Sequence, residues 1–261
     1  MNKIFTIAIV ISALLIASCA QEADNDVKSI KIGVEGAYPP FSKTESDGSL
    51  SGFDIDMSFA LCEEMGYECT LVKQDWDGMI PALLSQKYDA IIASMSITEE
   101  RKKKVAFTDK YYQMPVNFVA PEGSNLDISE SGLAGKKIGV QRATTFDTYV
   151  TDNFGDVAEI VRYTSQEEVF LDLQAGRVDA TLAERANIEE GFLNTPAGSG
   201  FATVGPDITD PEWFGDGIGI ALRKGDDELR EEFNDAIEEL IEDGTYEKIN
   251  NKYFSYDIFG N

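Results

Sequence analysis

The sequence predicts an α/β protein made of two similar halves, each built on a mostly parallel sheet, and three observations carry that prediction. Lys31-Ile32-Gly33-Val34 recurs as Lys137-Ile138-Gly139-Val140. Each copy is followed by a helix pattern, a turn and an Asp-Ala-apolar run, PALLSQKYDAIIAS over residues 81–94 and LDLQAGRVDATLAE over residues 171–184. Helix-type and strand-type patterns alternate between these marks, the order expected when parallel strands are joined by crossover helices.

The chain begins with an export signal. Lys3 precedes an uncharged run over residues 4–17, which ends in small residues before Cys19. A charged start, an apolar centre and a small-residue exit identify a signal peptide over residues 1–18. Ala17-Ser18-Cys19 resembles a bacterial lipobox, which implies cleavage before Cys19 and acylation of its thiol. Residues 19–28, largely polar and acidic, read as a tether. The apolar run is shorter than the ~20 residues a bilayer span needs, and no later segment approaches that length. The mature protein is therefore expected in the periplasm or cell envelope, held to a membrane by lipid alone.

The 261 residues, 43% of them hydrophobic, suffice for one large core or two modest ones. A formal charge of −25 disfavours nucleic acid and anionic lipid headgroups. The absence of histidine argues against a zinc site, and against a hydrolase in which histidine would activate Ser94 or Ser96. In an oxidising compartment Cys62 and Cys69 are expected to form a disulfide. Closing so small a loop contributes ~2.5 kcal/mol on the chain-entropy argument.

The elements follow in order. Residues 29–34 form the first strand. Asp54 is placed to cap an amphipathic helix over about residues 55–65, Gly66 to end it, and residues 68–72 form the next strand. Leu229, Phe233, Ile237, Leu240 and Ile241 have helical spacing within residues 227–242, closed by Gly244, and a short helix over residues 246–253 follows. Ligands of parallel sheets bind at the carboxyl ends of the strands. That rule selects Val34 to Tyr38, Ala93 to Ser96, Gln141 to Thr145, and Ala183-Glu184.

Chemistry singles out particular side chains there. Ser96-Ile97-Thr98-Glu99 has capping-box spacing, so Ser96 is expected to open a helix whose free N–H groups favour an anion. Arg101, one turn further, tilts back toward the same point and can grip a carboxylate through two N–H groups. Glu35 and Tyr38 follow the first strand, and Glu184 follows its counterpart in the second half. Trp76 stands among polar residues, where stacking on a planar or cationic group gives an aromatic ring a purpose.

The stretches GVEGAYPPF, GFDIDM, DAIIASMSITEER, FTDKYY, GVQRATT, AGRVDA, FGDGIGIALRK and DGTYEKINNKYF occur in this order. Together they resemble the periplasmic amino-acid-binding proteins of ABC importers, most closely the lysine/arginine/ornithine and histidine binders. The similarity runs from about Ser29 to the C-terminus and includes the Cys62 and Cys69 pair, commonly joined in this branch. The resemblance implies a type II periplasmic-binding-protein fold with a two-strand hinge. Residues 29–113 and 217–261 would form one lobe and residues 114–216 the other, with the glycines of residues 215–219 in one hinge. It implies a monomeric binding protein rather than an enzyme, with no cofactor, whose partners are an amino acid and a membrane permease.

Carried over by position, Arg101 would hold the ligand α-carboxylate with Ser96 and Thr145, and Ser94 and Glu184 the α-ammonium. Glu35 would meet the side-chain cation, with Tyr38 and Trp76 on either side of the ligand chain. One positive and two negative groups leave −1, which matches a ligand of net +1; a neutral ligand would leave Glu35 buried and unpaired. Relatives more often carry aspartate at the positions of Glu35 and Glu184, a smaller apolar residue than Trp76, and in some cases a hydroxyl at Ala93. The resulting order is arginine first, then ornithine, lysine and histidine, with opines after them. A sensory receptor without transport is the alternative. A dehydratase on the same fold would require a dianion, for which a site of −1 has the wrong sign.

Overall fold

The computed structural model describes residues 28–260. The expected signal peptide, Cys19 and all but the last residue of the tether lie outside the described residues.

Two five-stranded sheets organise the chain. In the first, Tyr67–Lys73, Lys28–Val34 and Ala90–Ile91 run parallel, followed by Ile218–Leu222, which is antiparallel to Ala90–Ile91 and to the last strand, Ala106–Tyr112. In the second, Glu159–Tyr163, Lys137–Gln141 and Ala180–Glu184 run parallel, followed by Val116–Pro121, antiparallel to both Ala180–Glu184 and Phe201–Ile208. The reversed strand of each sheet has just crossed from the other: Val116–Pro121 follows Ala106–Tyr112, and Ile218–Leu222 follows Phe201–Ile208. Two lobes joined by two crossings result, as expected for the fold.

The internal repeat has a physical basis in strand pairing. Ile32 faces Ala90 and Gly33 faces Ile91 in the first lobe, as Ile138 faces Ala180 and Gly139 faces Thr181 in the second. Asp89 accepts the Lys31 N–H through its side chain (3.0 Å) and Asp179 accepts the Lys137 N–H (2.8 Å), so each aspartate, just before its own strand, ties it to the neighbouring one. The repeated glycine leaves room for a close approach. A Cβ at Gly33 would lie 2.6 Å from the Tyr88 ring, and one at Gly139 would lie 2.8 Å from Val169, both shorter than carbon atoms tolerate.

Helices cover both sheets, with three departures from the sequence expectation. Phe53–Glu64 is capped by Gly52, and Asp54 lies inside the first turn, fully buried; its carboxylate turns into the lobe instead of closing the helix end. The helix that carries Arg101 is the single turn Glu99–Lys102, capped by Thr98, whose hydroxyl accepts the Arg101 N–H. Ser96 instead forms an isolated bridge to Ile218, so the capping-box pattern marks an extended segment, and the proposed helix-end anion site is absent at Ser96. The segment expected to begin at Pro81 starts earlier, with a 3-10 turn at Trp76–Gly78 leading into Met79–Leu84.

Cys62 in the helix Phe53–Glu64 and Cys69 in the strand Tyr67–Lys73 are joined by a disulfide, Cα to Cα 5.8 Å, at the expected helix-to-strand corner. The C-terminal helices Asp227–Glu242 and Thr245–Tyr253 return to the first sheet. Tyr246 donates to the Tyr111 carbonyl (2.7 Å), and Lys252 and Tyr253 both reach Asp56 (2.6 and 2.7 Å). An aromatic block leads from here to the cleft: the Phe41 ring stacks on Tyr112 at 4.9 Å and on Tyr38 at 5.9 Å.

Candidate ligand-binding site

Side chains from the carboxyl ends of the strands meet between the lobes. A narrow cavity is lined by Glu35, Tyr38, Trp76, Ala93, Ser94, Ser96 and Arg101 from the first lobe and Gln141, Thr144, Thr145 and Phe146 from the second. Seven of the eight expected ligand-binding residues are thus brought together. The eighth, Glu184, lines a neighbouring cavity near the crossings that shares Ser96 and Phe146 with the first.

The lobes touch through polar contacts across this gap. Gln141 Nε2 donates to Glu35 Oε1 (2.5 Å) and also to the Thr164 carbonyl (3.1 Å). Trp76 Nε1 donates to the Ala143 carbonyl (3.1 Å), Asn187 Nδ2 to the Pro39 carbonyl (2.6 Å), and Arg142 pairs with Asp77 (2.7 Å). The Tyr38 hydroxyl accepts the Glu184 N–H (3.4 Å), and the Tyr112 hydroxyl donates to the Glu184 carboxylate (3.1 Å). The two lobes are therefore closed on one another.

Arg101 is held by its Nη1 bond to the Ser96 carbonyl (3.0 Å) and by the Trp76 ring, 5.2 Å from the guanidinium carbon, a cation–π contact. Burial lowers its pKa to about 10, which leaves it protonated at neutral pH. A longer helix, Thr145–Phe154, also starts at the cavity. Thr144 caps it, accepting the Asp147 N–H and donating to the Gln141 carbonyl. The first N–H groups of a helix have no acceptor within it, so Thr145 and Phe146 present the positive end of a ten-residue helix to the cavity that Arg101 lines.

The acidic groups lack such compensation. Glu35 is 5% and Glu184 3% exposed, and neither forms an ion pair with a lysine or arginine among the described residues. Burial raises the Glu35 carboxyl to about 7, against the pull of the Gln141 bond. Burial raises Glu184 to about 8, against its bonds with Tyr112 and Tyr38 and the more distant Arg101 charge. Asp54, behind Ser94, is likewise raised to about 7 by burial, opposed by Tyr111 and Ser94. The interior thus combines one cation with an excess of acid, and it can neutralise a small molecule carrying one carboxylate and more than one positive group.

Sequence reasoning assigned no ligand-site role to Gln141, Thr144 or Phe146, and gave Asp54 only a helix cap. The first three sit in or beside the GVQRATT stretch, and the strand-end rule selected that stretch without saying which side chains turn inward. Asp54 carried a capping pattern that concealed its burial.

Comparison with known proteins accounts for this arrangement. The family model for bacterial extracellular solute-binding proteins, family 3, matches residues 30–256. An L-arginine-binding protein of Pseudomonas aeruginosa is 52% identical over 89% of this chain and 90% of its own. A lysine/arginine/ornithine-binding periplasmic protein of Escherichia coli is 41% identical over the same shares. An ancestral arginine-binding protein, solved with arginine and again with glutamine, superposes with a TM-score of 0.80 at 37% identity, over 87% of this chain and 98% of its own. These relatives bind solutes and are not enzymes. Extent of match, identity and fold agree, and the chain belongs to the bacterial extracellular solute-binding proteins of family 3.

Proposed function

We propose that this protein captures a basic amino acid, arginine foremost, in the inter-lobe cavity and delivers it to the membrane permease of an ABC importer. The observation that carries the reading is Glu35, a buried carboxylate at the cavity wall whose hydrogen-bond partner is a neutral amide, Gln141. A cationic side chain is the complement it lacks. The names of the relatives support this ligand class, and since a related scaffold has been solved with arginine and again with glutamine, the preference for a cation rests in this reading on Glu35.

In this reading the α-carboxylate lies between Arg101 and the start of the Thr145 helix, with Ser96 beside it. The α-ammonium lies toward Ser94 and Glu184, and the side chain runs between Tyr38 and Trp76 to Glu35. The carboxylate's two holders stand on opposite lobes, so the ligand favours closure. Residues 29–113 with 217–261 and residues 114–216 would move as the two bodies. Among the described residues no helix is long and apolar enough to cross a membrane. Acylation of Cys19, after removal of residues 1–18, would tether the monomer through residues 19–28. Cys19→Ser should release the protein from the membrane fraction on cell lysis, and retention of that variant on membranes would contradict the anchor.

A thermal-shift screen with the twenty amino acids tests the function. A ligand present at 100 times its Kd raises stability by ~2.7 kcal/mol, and arginine, ornithine and lysine should give the largest rises. A largest rise with a neutral or acidic amino acid would overturn the proposal.

The raised acids also predict a pH dependence. Binding a cation requires ionised Glu35, whose pKa in the empty closed site is about 7, so arginine affinity should fall at least tenfold from pH 8 to pH 6, Glu184 near 8 adding to the fall, with proton release on binding. The sign for the empty protein is opposite. Acids raised from 4.5 or 3.8 to about 7 or 8 stabilise it below the unfolded values, and this is lost as pH rises through the folded ones. Saturating arginine should flatten that decline, as measured by thermal midpoints across this range.

A further inference from the structure

Resting on the reading above, we propose that Asp54 is a positioning residue: by accepting the Ser94 hydroxyl proton it makes Ser94 an acceptor toward the cavity, so that an amine is admitted next to it and an acceptor-only group is refused.

The geometry fixes each participant. Asp54 is fully buried and forms no ion pair among the described residues. One carboxylate oxygen meets the Ser94 hydroxyl at 2.9 Å and the other meets the Tyr111 hydroxyl at 2.7 Å. An ionised carboxylate only accepts, so both hydroxyls must donate. Tyr111 is itself buried, its ring stacked on Phe53 at 6.3 Å and set edge-on to Tyr112, and it cannot turn away. Ser94 lines the ligand cavity with φ 54°, a left-handed backbone that serine rarely adopts and that persists only where the surroundings impose it. A hydroxyl carries one hydrogen; once that hydrogen lies on Asp54, lone pairs alone remain for the cavity. Glu184 is the second acceptor at this end. Burial places the Asp54 carboxyl near 7, with the Tyr111 and Ser94 bonds favouring its ionised form.

Asp54→Asn reverses the polarity without changing the shape. Tyr111 donates to the amide oxygen, the amide NH₂ turns to Ser94, and the Ser94 hydrogen is freed toward the cavity. The test compares arginine with its α-keto analogue, which presents an acceptor where arginine presents the ammonium, by calorimetry at about pH 8.5, where the acid is ionised. The substitution should weaken arginine at least tenfold while leaving the keto acid unweakened, so that discrimination narrows at least tenfold. General damage would weaken both alike, and an unchanged ratio overturns the proposal. Ser94→Ala should narrow the ratio similarly, and the double variant should add nothing to it; additive effects would also overturn the assignment. If Asp54→Asn does not fold, neutron diffraction from the wild-type protein reads the Ser94 deuterium directly: on the line to Asp54 it supports the proposal, and turned into the cavity it refutes it. Failure of the wild-type protein to bind arginine would instead refute the functional reading on which this inference rests.

Discussion

Arg101→Ala should abolish measurable capture of arginine, with a loss of ~10³-fold in affinity. The guanidinium is the cation lining the cavity, and truncating one partner of a buried charge pair costs ~3–5 kcal/mol because the other charge is left unpaired. The Thr145 helix start and the Ser96 hydroxyl would remain, but partial charges and neutral donors do not replace a two-pronged charged contact. The empty protein should keep its stability within ~1 kcal/mol, since Arg101 there makes a carbonyl bond and a ring contact while being desolvated, contributions of opposite sign. Calorimetry with arginine, beside a denaturant midpoint for the empty variant, checks both halves. A variant that binds within tenfold of wild type would show that the ligand acid is held elsewhere.

Glu35→Gln should weaken arginine about 100-fold and glutamine or citrulline little. The amide has nearly the same shape and can still accept from Gln141, so the cavity is preserved while its charge is not. A ~2–3 kcal/mol loss is expected for a charged hydrogen bond replaced by a neutral one in a desolvated site. The same change removes an acid raised to about 7 by burial, so the empty variant should be more stable at pH 8 than the wild-type protein. The roughly tenfold share of the pH dependence of arginine binding between 6 and 8 that Glu35 supplies should vanish, leaving that of Glu184. Equal weakening of cationic and neutral ligands would place the ligand side chain away from Glu35.

The repeat was legible because it encodes backbone pairing: Asp89 and Asp179 bind the strand next to them, and Gly33 and Gly139 make room for a packed neighbour. The helix Asp227–Glu242 was legible to the residue because its apolar spacing faces a core. Capping was read less well. Ser96 and Thr98 are both plausible cap residues two positions apart, and the choice between them was made by the Ser96 bridge to Ile218, 122 residues away in sequence by the difference of their numbers. Asp54 illustrates the same limit: an aspartate at a helix start has the composition of a surface cap, and only tertiary packing against Ser94 and Tyr111 turns it inward. The strand-end rule, joined to a family resemblance, located the cleft residues, yet the cross-lobe partner of Glu35 depended on the relative position of two lobes. Local sequence carries no record of that.

Arginine and citrulline differ by a charge at nearly constant shape, which makes their paired titration into the unmodified mature protein at neutral pH the most direct measurement. Arginine should bind at least 100-fold more tightly, with more proton release than citrulline, because only arginine also requires ionised Glu35. Equal affinities would contradict the claim that the closed cleft is built to neutralise a side-chain cation.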